Sequence, residues 1–197
     1  MKKQLILSVL VVLSLSASAQ TWNVDKAHAK LGFSITHLMI SDVEGSFRTY
    51  EATITSSKDD LSDAVFEISA DIAGINTDNE GRDKDLQSDR YFDAAKFPKL
   101  SYKSTSFTKI EGNKYKLVGD LTIHGVKKKV TFDGKYLGAV KDAFGQQKVA
   151  FTATTKISRK DFGLKWNNVV EAGPVVGDEV TIKLSIQGAK PVAEAKK

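Results

Sequence analysis

The chain has 197 residues and no cysteine, which excludes disulfides, thiolate metal ligands and a cysteine nucleophile. Its 29 basic and 24 acidic residues give +5; without Lys2 and Lys3 of a leader the balance is 27 against 24, or +3. An excess that small and that evenly spread gives no argument for a nucleic acid or an anionic membrane as partner.

Lys2 and Lys3 open the chain, and the 11-residue apolar run "LILSVLVVLSL" follows. A spanning helix needs roughly 20 apolar residues, so this segment reads as a secretory signal peptide over residues 1–19. Ala17-Ser18-Ala19 supplies the small-x-small cleavage pattern, and Gln20 becomes the first mature residue. The expected location is therefore periplasmic. Residues 20–188 form one domain, long enough to bury roughly 70% of its unfolded surface, and residues 189–197 form a flexible C-terminal tail.

From Ala27 onward the dominant period is two. Leu31, Phe33, Ile35 and His37 share one face of "AHAKLGFSITH". Around "EGSFRTYEATI" the phase slips between Phe47 and Tyr50, which suggests a bulge. Phe66, Ile68, Ala70 and Ile72 are in phase, as are Tyr115, Leu117, Gly119, Leu121 and Ile123. Val149, Phe151, Ala153 and Ile157 follow, and Val180, Ile182, Leu184 and Ile186 close the series. Such alternation is expected of antiparallel strands with one wet face. With "LSYKSTSF" and "KKVTFDGKY" about eight strands are counted. Helical segments do not alternate with them, so the fold is all-β. Closure into a barrel hides every edge, whereas a two-sheet sandwich is the competing architecture. The interior of an eight-stranded barrel is wide enough for side chains or one small ligand. Periodicity leaves a packed core and a tunnel equally open.

The stretch "RDKDLQSDRYFDAAKFP", residues 82–98, interrupts the strands. Thr77-Asp78-Asn79-Glu80 fits a capping box in which Glu80 reaches back to the Thr77 amide. A short helix from about Asp78 to Ser88 follows. With so few apolar residues it can cover an opening but not a whole core.

Catalytic and metal patterns are sparse. His28, His37 and His124 lie in three different stretches, and neither HExxH nor a calcium loop is present. Asp25 and His28 stand an odd step apart, on opposite faces if both belong to one strand. No nucleophile elbow occurs. Asp120 and His124 are separated by roughly 13 Å along a strand, too far for a dyad. An alternative reading is a cell-envelope hydrolase using the carboxylates of Asp83 and Asp93, against which stands the usual fate of helix charges as a solvated face. Lys127-Lys128-Lys129 reads as a solvated hairpin that discourages edge pairing.

Four stretches occur in order: "TWNVDKAHAKLGFSITHL", "GRDKDLQSDRYFDAAKFPKLSYKST", "GDLTIHGVKKKV" and "SRKDFGL". Together they resemble the YceI-like family of bacterial periplasmic lipid- and polyisoprenoid-binding proteins, from about Trp22 to Gly188. Ala29, Gly74, Asp85 and Lys129 depart from the family's usual residues. The resemblance implies an extended lipocalin-like antiparallel β-barrel with a short helix or loop as lid, enclosing a long apolar chain without catalysis. The expected lining is Leu31, Phe33, Ile35, His37, Phe47, Phe66, Ile68, Leu117, Leu121, Phe151, Ile182 and Leu184. Arg82 and Asp83 are expected to pin the helix, and Leu86, Phe92 and Phe97 to close or border the mouth. Arg159 is expected to hold the "RKDFGL" corner or to face the ligand's head. The implied partner is a hydrophobic lipid (polyisoprenoid, quinone-precursor or fatty-acyl), sequestered or carried. No cofactor, nucleic acid or stable membrane insertion is implied, and a homodimer stays open, as does a ligand-free stress or interaction protein.

Overall fold

The computed structural model describes residues 19–191 except 59 and 172. The expected signal peptide, up to residue 18, and the expected tail, from residue 192, lie outside the described residues. Strands β1 (Gln20–Val24), β2 (Lys30–His37), β3 (Ser41–Phe47), β4 (Tyr50–Ser56), β5 (Val65–Asp71) and β6 (Ile75–Asn76) precede the helix α1 (Glu80–Gln87). Then come β7 (Lys99–Glu111), β8 (Lys114–Ile123), β9 (Val126–Lys141), β10 (Gln147–Ser158), β11 (Val169–Val170), β12 (Gly173–Pro174) and β13 (Val176–Ala189).

The strands close into an all-β barrel of eight antiparallel staves. Three staves are composite: β1 with β2, β3 with β4, and β5 with β6; the other five are β7, β8, β9, β10 and β13. Neighbours in sequence are neighbours in space. The seam closes where β13 meets the first stave, through Leu184 opposite Leu31 and Val24 opposite Gly188. Ala189, expected in the tail, pairs with Asn23, and the Lys190 amide donates to the Gln147 carbonyl at 2.9 Å. The domain therefore extends past residue 188.

The three composite staves break side by side, and each break has a local cause. The Asp25 carboxylate accepts the Ala27 amide (3.1 Å) and lies 2.9 Å from His28 Nδ1. That cap folds Lys26–His28 into a 3₁₀ turn, so Asp25 and His28 meet instead of facing opposite ways. The hydrogen bond with His28 holds the Asp25 carboxyl below the usual carboxylate range. The phase slip after Phe47 is a corner rather than a bulge. Arg48 N donates to Gly74 O (2.8 Å) and Asp71 N to Thr49 O (2.9 Å), which locks the break at Arg48-Thr49 to the 3₁₀ turn Ile72–Gly74 of the next stave. A Cβ on Gly74 would stand 2.8 Å from the Thr49 backbone, so this corner requires glycine. Lys127–Lys129 follow Val126 at the start of β9, after a His124-Gly125 turn; Lys129 reaches Asp120 (3.6 Å) and Lys128 reaches Asp161 (3.7 Å).

The two ends of the barrel are built differently. At one end lie the His37–Ser41 turn, α1 and residues 88–98, the His124-Gly125 turn, and the long link from β10 to β13. At the other lie the short β7–β8 and β9–β10 turns and the loop between β4 and β5. Phe66, Phe107 and Phe151 fill this second half, with ring centroids 5.1–5.8 Å apart. Tyr115 stacks on Phe107 at 4.3 Å, and Tyr136 lies 5.1 Å from Phe151. Such tilted and edge-on pairs add about 0.5–1.5 kcal/mol each beyond burial.

The β4–β5 loop seals this end with buried Leu61 and Ala64, and it is tied by one carboxylate. Asp63 accepts from the hydroxyls of Ser56 and Ser57 and from the amides of Ser57 (3.0 Å) and Lys58 (3.3 Å). The Ser56 and Ser57 hydroxyls hold its carboxyl well below the ordinary range. A depressed folded-state value means that the unfolded chain takes up its proton first, so this contribution to stability is complete above about pH 5 and drains away as the pH falls further. The melting temperature of the native protein should therefore drop between pH 5 and pH 3 more than that of Asp63→Asn. Parallel pH profiles would show that the loop is held by something else.

Candidate functional site: an apolar cavity under the helix

Burial along single strands locates the hollow part of the barrel. On β13 the inward residues Val180 and Ile182 are half-buried, while Leu184 and Ile186 are fully buried. On β2, Leu31 is 4% exposed, yet Phe33, Ile35 and His37 on the same face keep accessible surface. The inward side chains thus face open space toward the helix end and solid packing toward the other. That space is a cavity of about 200 Å³.

Its wall is made by aliphatic and aromatic side chains from nearly every stave, including Val43, Phe47, Ile68, Leu100, Tyr102, Leu121, Phe132, Ile157, Val180, Ile182 and Leu184. Burial holds the Tyr102 phenol far above its ordinary range, and its hydroxyl donates to Leu117 O at 3.3 Å. Phe33 lies across Gly45 of the paired strand. A Cβ there would stand 2.3 Å from its ring, so the bare glycine lets the ring rest on the wall. The polar side chains of the lining, Thr36, His37, Arg82, Asp85, Tyr91 and Arg159, come from the helix end.

Helix α1 is held there by Thr77. Asn79 is the N-cap, its side chain accepting the Arg82 amide at 2.9 Å, and Asp78 takes a left-handed conformation with φ 57°. The helix spans Glu80–Gln87, and Thr77 does not cap it. Instead Thr77, 5% exposed, is a hub beside β6. Its amide (2.9 Å) and hydroxyl (2.6 Å) donate to Asp83, while its hydroxyl and carbonyl accept from Arg82 Nε and Nη2, both at 2.8 Å. Arg82 and Asp83 therefore both fasten the helix to the barrel, and of the two Arg82 also touches the cavity.

Leu86, Tyr91 and Phe92 line the cavity from above. Phe97 does not. Asp93 adopts φ 46° and turns the chain, and Phe97 packs outside against His124 at 4.5 Å and over Gly125. Phe66, Leu117 and Phe151 likewise stand apart from this cavity. They point inward as their phase requires, but they lie in the filled half around a separate void of about 20 Å³. The remaining expected lining residues, Leu31, Phe33, Ile35, His37, Phe47, Ile68, Leu121, Ile182 and Leu184, are brought together around one space. The two carboxylates of the hydrolase reading point elsewhere: Asp83 is engaged by Thr77, and Asp93 is paired with Lys96 at 2.8 Å.

The other flap of the mouth is the β10–β13 link, organised by Arg159. This guanidinium is 4% exposed. Nε donates to Gly177 O (2.8 Å), Nη1 to Leu164 O (2.7 Å) and Trp166 O (2.8 Å), and Nη2 lies 3.4 Å from Asp178. Arg159 thus holds the corner, and its edge also faces the cavity. Trp166, which sequence reasoning missed, joins the two flaps. Tyr91 packs on it at 5.0 Å, and Arg90, ion-paired with Asp85, lies over it at 5.5 Å. Burial, reinforced by the negative Asp85, raises the Tyr91 phenol above its ordinary value. The mouth thus combines hydrogen-bonding groups at the rim with an apolar shaft beneath, the usual make-up of a small-ligand site.

Protein YceI of Salmonella newport is 33% identical over 96% of this chain and 99% of its own. The crystal structure of Campylobacter jejuni YceI superposes with a TM-score of 0.67 at 31% identity, covering 85% of this chain and 96% of that one. A polyisoprenoid binding domain from Saccharophagus degradans shares the fold, with a TM-score of 0.61 at 12% identity over 87% of this chain and 99% of its own. Residues 22–188 match the YceI-like domain, and the chain belongs to that family.

Proposed function

We propose that the protein is an exported, non-enzymatic carrier that takes up the apolar chain of a lipid, polyisoprenoid or fatty-acyl, inside the barrel and shields it from water. The observation that carries this reading is the hollow half of the barrel: a closed-ended shaft with an apolar wall, opening under α1 among donors and acceptors. The Saccharophagus neighbour, described as a polyisoprenoid binding domain, supports the same ligand class. Each buried methylene contributes about 0.8 kcal/mol, so a dozen of them supply about 10 kcal/mol, which exceeds the several kcal/mol lost on association and leaves binding in the sub-millimolar range. The wall sets no polar demand deep inside, and discrimination among headgroups falls to the rim. The leader pattern of residues 1–19 supports a periplasmic site of action.

The test is native-ligand analysis. Protein purified from its own host, extracted with organic solvent and examined by mass spectrometry, should yield a chain-bearing lipid in stoichiometric amount. Recovery of no lipid in repeated preparations, together with no uptake of a fluorescent polyene by the extracted protein, overturns the reading.

A further inference from the structure

We propose that Phe66, Phe107 and Phe151 form a floor that limits the ligand's buried chain to about a dozen carbons. This rests on the carrier reading and adds to it a restriction on chain length. The cavity ends at Ile68 and Leu184, which also line the small void beyond. That void measures about 20 Å³, room for little more than one water molecule, so no further chain segment fits there. The three rings behind it are in mutual contact at 5.1–5.8 Å, and Phe66 and Phe151 are 3% and 6% exposed.

The depth of the shaft follows from strand geometry. Leu31 stands at the floor and His37 at the rim on the same strand. Six residues at about 3.3 Å span roughly 20 Å, or about 15 Å along the axis at the usual barrel tilt. A zigzag chain with bonds of about 1.5 Å advances about 1.25 Å per carbon, which gives about twelve carbons or three isoprene units. A longer tail leaves its remainder outside the mouth, because nothing below the floor receives it.

The experiment uses extracted full-length protein and saturated fatty acids of eight to twenty carbons, displacing a fluorescent polyene. In the native protein each added methylene should tighten binding about fourfold up to about twelve to fourteen carbons, beyond which the curve is flat. Phe151→Ala should move that break toward longer chains by about two carbons or more, through the space it vacates. Phe107→Leu is the gentler second variant, to be read if a thermal melt shows Phe151→Ala to be unfolded. Affinity that climbs steadily to twenty carbons in the native protein, or a break that stays put in a folded variant, overturns the floor and leaves the carrier reading standing. Failure of every acid to bind, and of the polyene with them, overturns the carrier reading itself.

Discussion

Arg159→Met should lower the unfolding free energy by about 3–5 kcal/mol, the largest loss expected from any single change at the mouth. The guanidinium is the shared donor for the carbonyls of Leu164, Trp166 and Gly177. A thioether fills similar volume but donates nothing. Each buried carbonyl left without a partner costs about 1–3 kcal/mol, and only part of that is recovered by water entering from the rim. Asp178 is half-exposed and can be solvated, so the loss comes from the carbonyls rather than from a stranded charge. Set against a typical total of about 5–15 kcal/mol, this leaves a marginal fold. Lysine should not rescue it, because a single ammonium cannot reach three carbonyls in the fork that a guanidinium presents. Urea denaturation of the native, Arg159→Met and Arg159→Lys proteins measures all three. A loss below about 1 kcal/mol in Arg159→Met would show that the flap is held mainly by Phe162, Leu164 and the Trp166 clasp.

How much of this was legible beforehand depends on what a two-residue period encodes. It separates inward from outward, and it did so correctly for Leu31, Phe66, Leu117, Leu121, Phe151 and Leu184. It carries no information on height along the barrel axis. Phe66, Leu117 and Phe151 were therefore indistinguishable from Leu121 and Leu184 until the pairing register set Leu117 opposite Phe107 and Phe151 opposite Ile186. The composite staves were hidden for a related reason. A chain that turns a corner at Arg48-Thr49 and one that bulges there leave the same phase slip between Phe47 and Tyr50. Only the bond from Arg48 to Gly74, on a distant segment, separates them.

The lid shows the other limit. Asn79 and Thr77 are both good N-caps by residue type, and the choice was made by Asp83 and Arg82, which claim Thr77 for a different purpose. Phe97 left the mouth because Asp93 takes a left-handed turn, a backbone choice that aspartate tolerates but does not announce. Trp166 could have been found as the aromatic nearest the "RKDFGL" corner. Its partners Tyr91 and Arg90 lie about seventy-five residues away, and nothing local names them.

Filling the shaft should abolish binding while sparing the fold, and Leu121→Trp is the substitution that separates the two. Leu121 points inward from β8 opposite Tyr102 and lines the cavity midway between rim and floor. An indole there extends into open volume and takes the place of roughly four ligand methylenes, about 3 kcal/mol, or more than a hundredfold in affinity. Stability should change by less than about 1.5 kcal/mol, since no neighbour has to move. Leu117→Trp makes the opposite case one strand-step below the floor, where the void of about 20 Å³ cannot take the ring. Overpacking should there cost about 1–3 kcal/mol or more. Titration with a fluorescent polyene and thermal melts on both variants read the two effects separately. If Leu121→Trp melts as low as Leu117→Trp, the upper half of the barrel is as solid as the lower; if it melts like the native protein yet binds as well, the ligand lies outside the shaft.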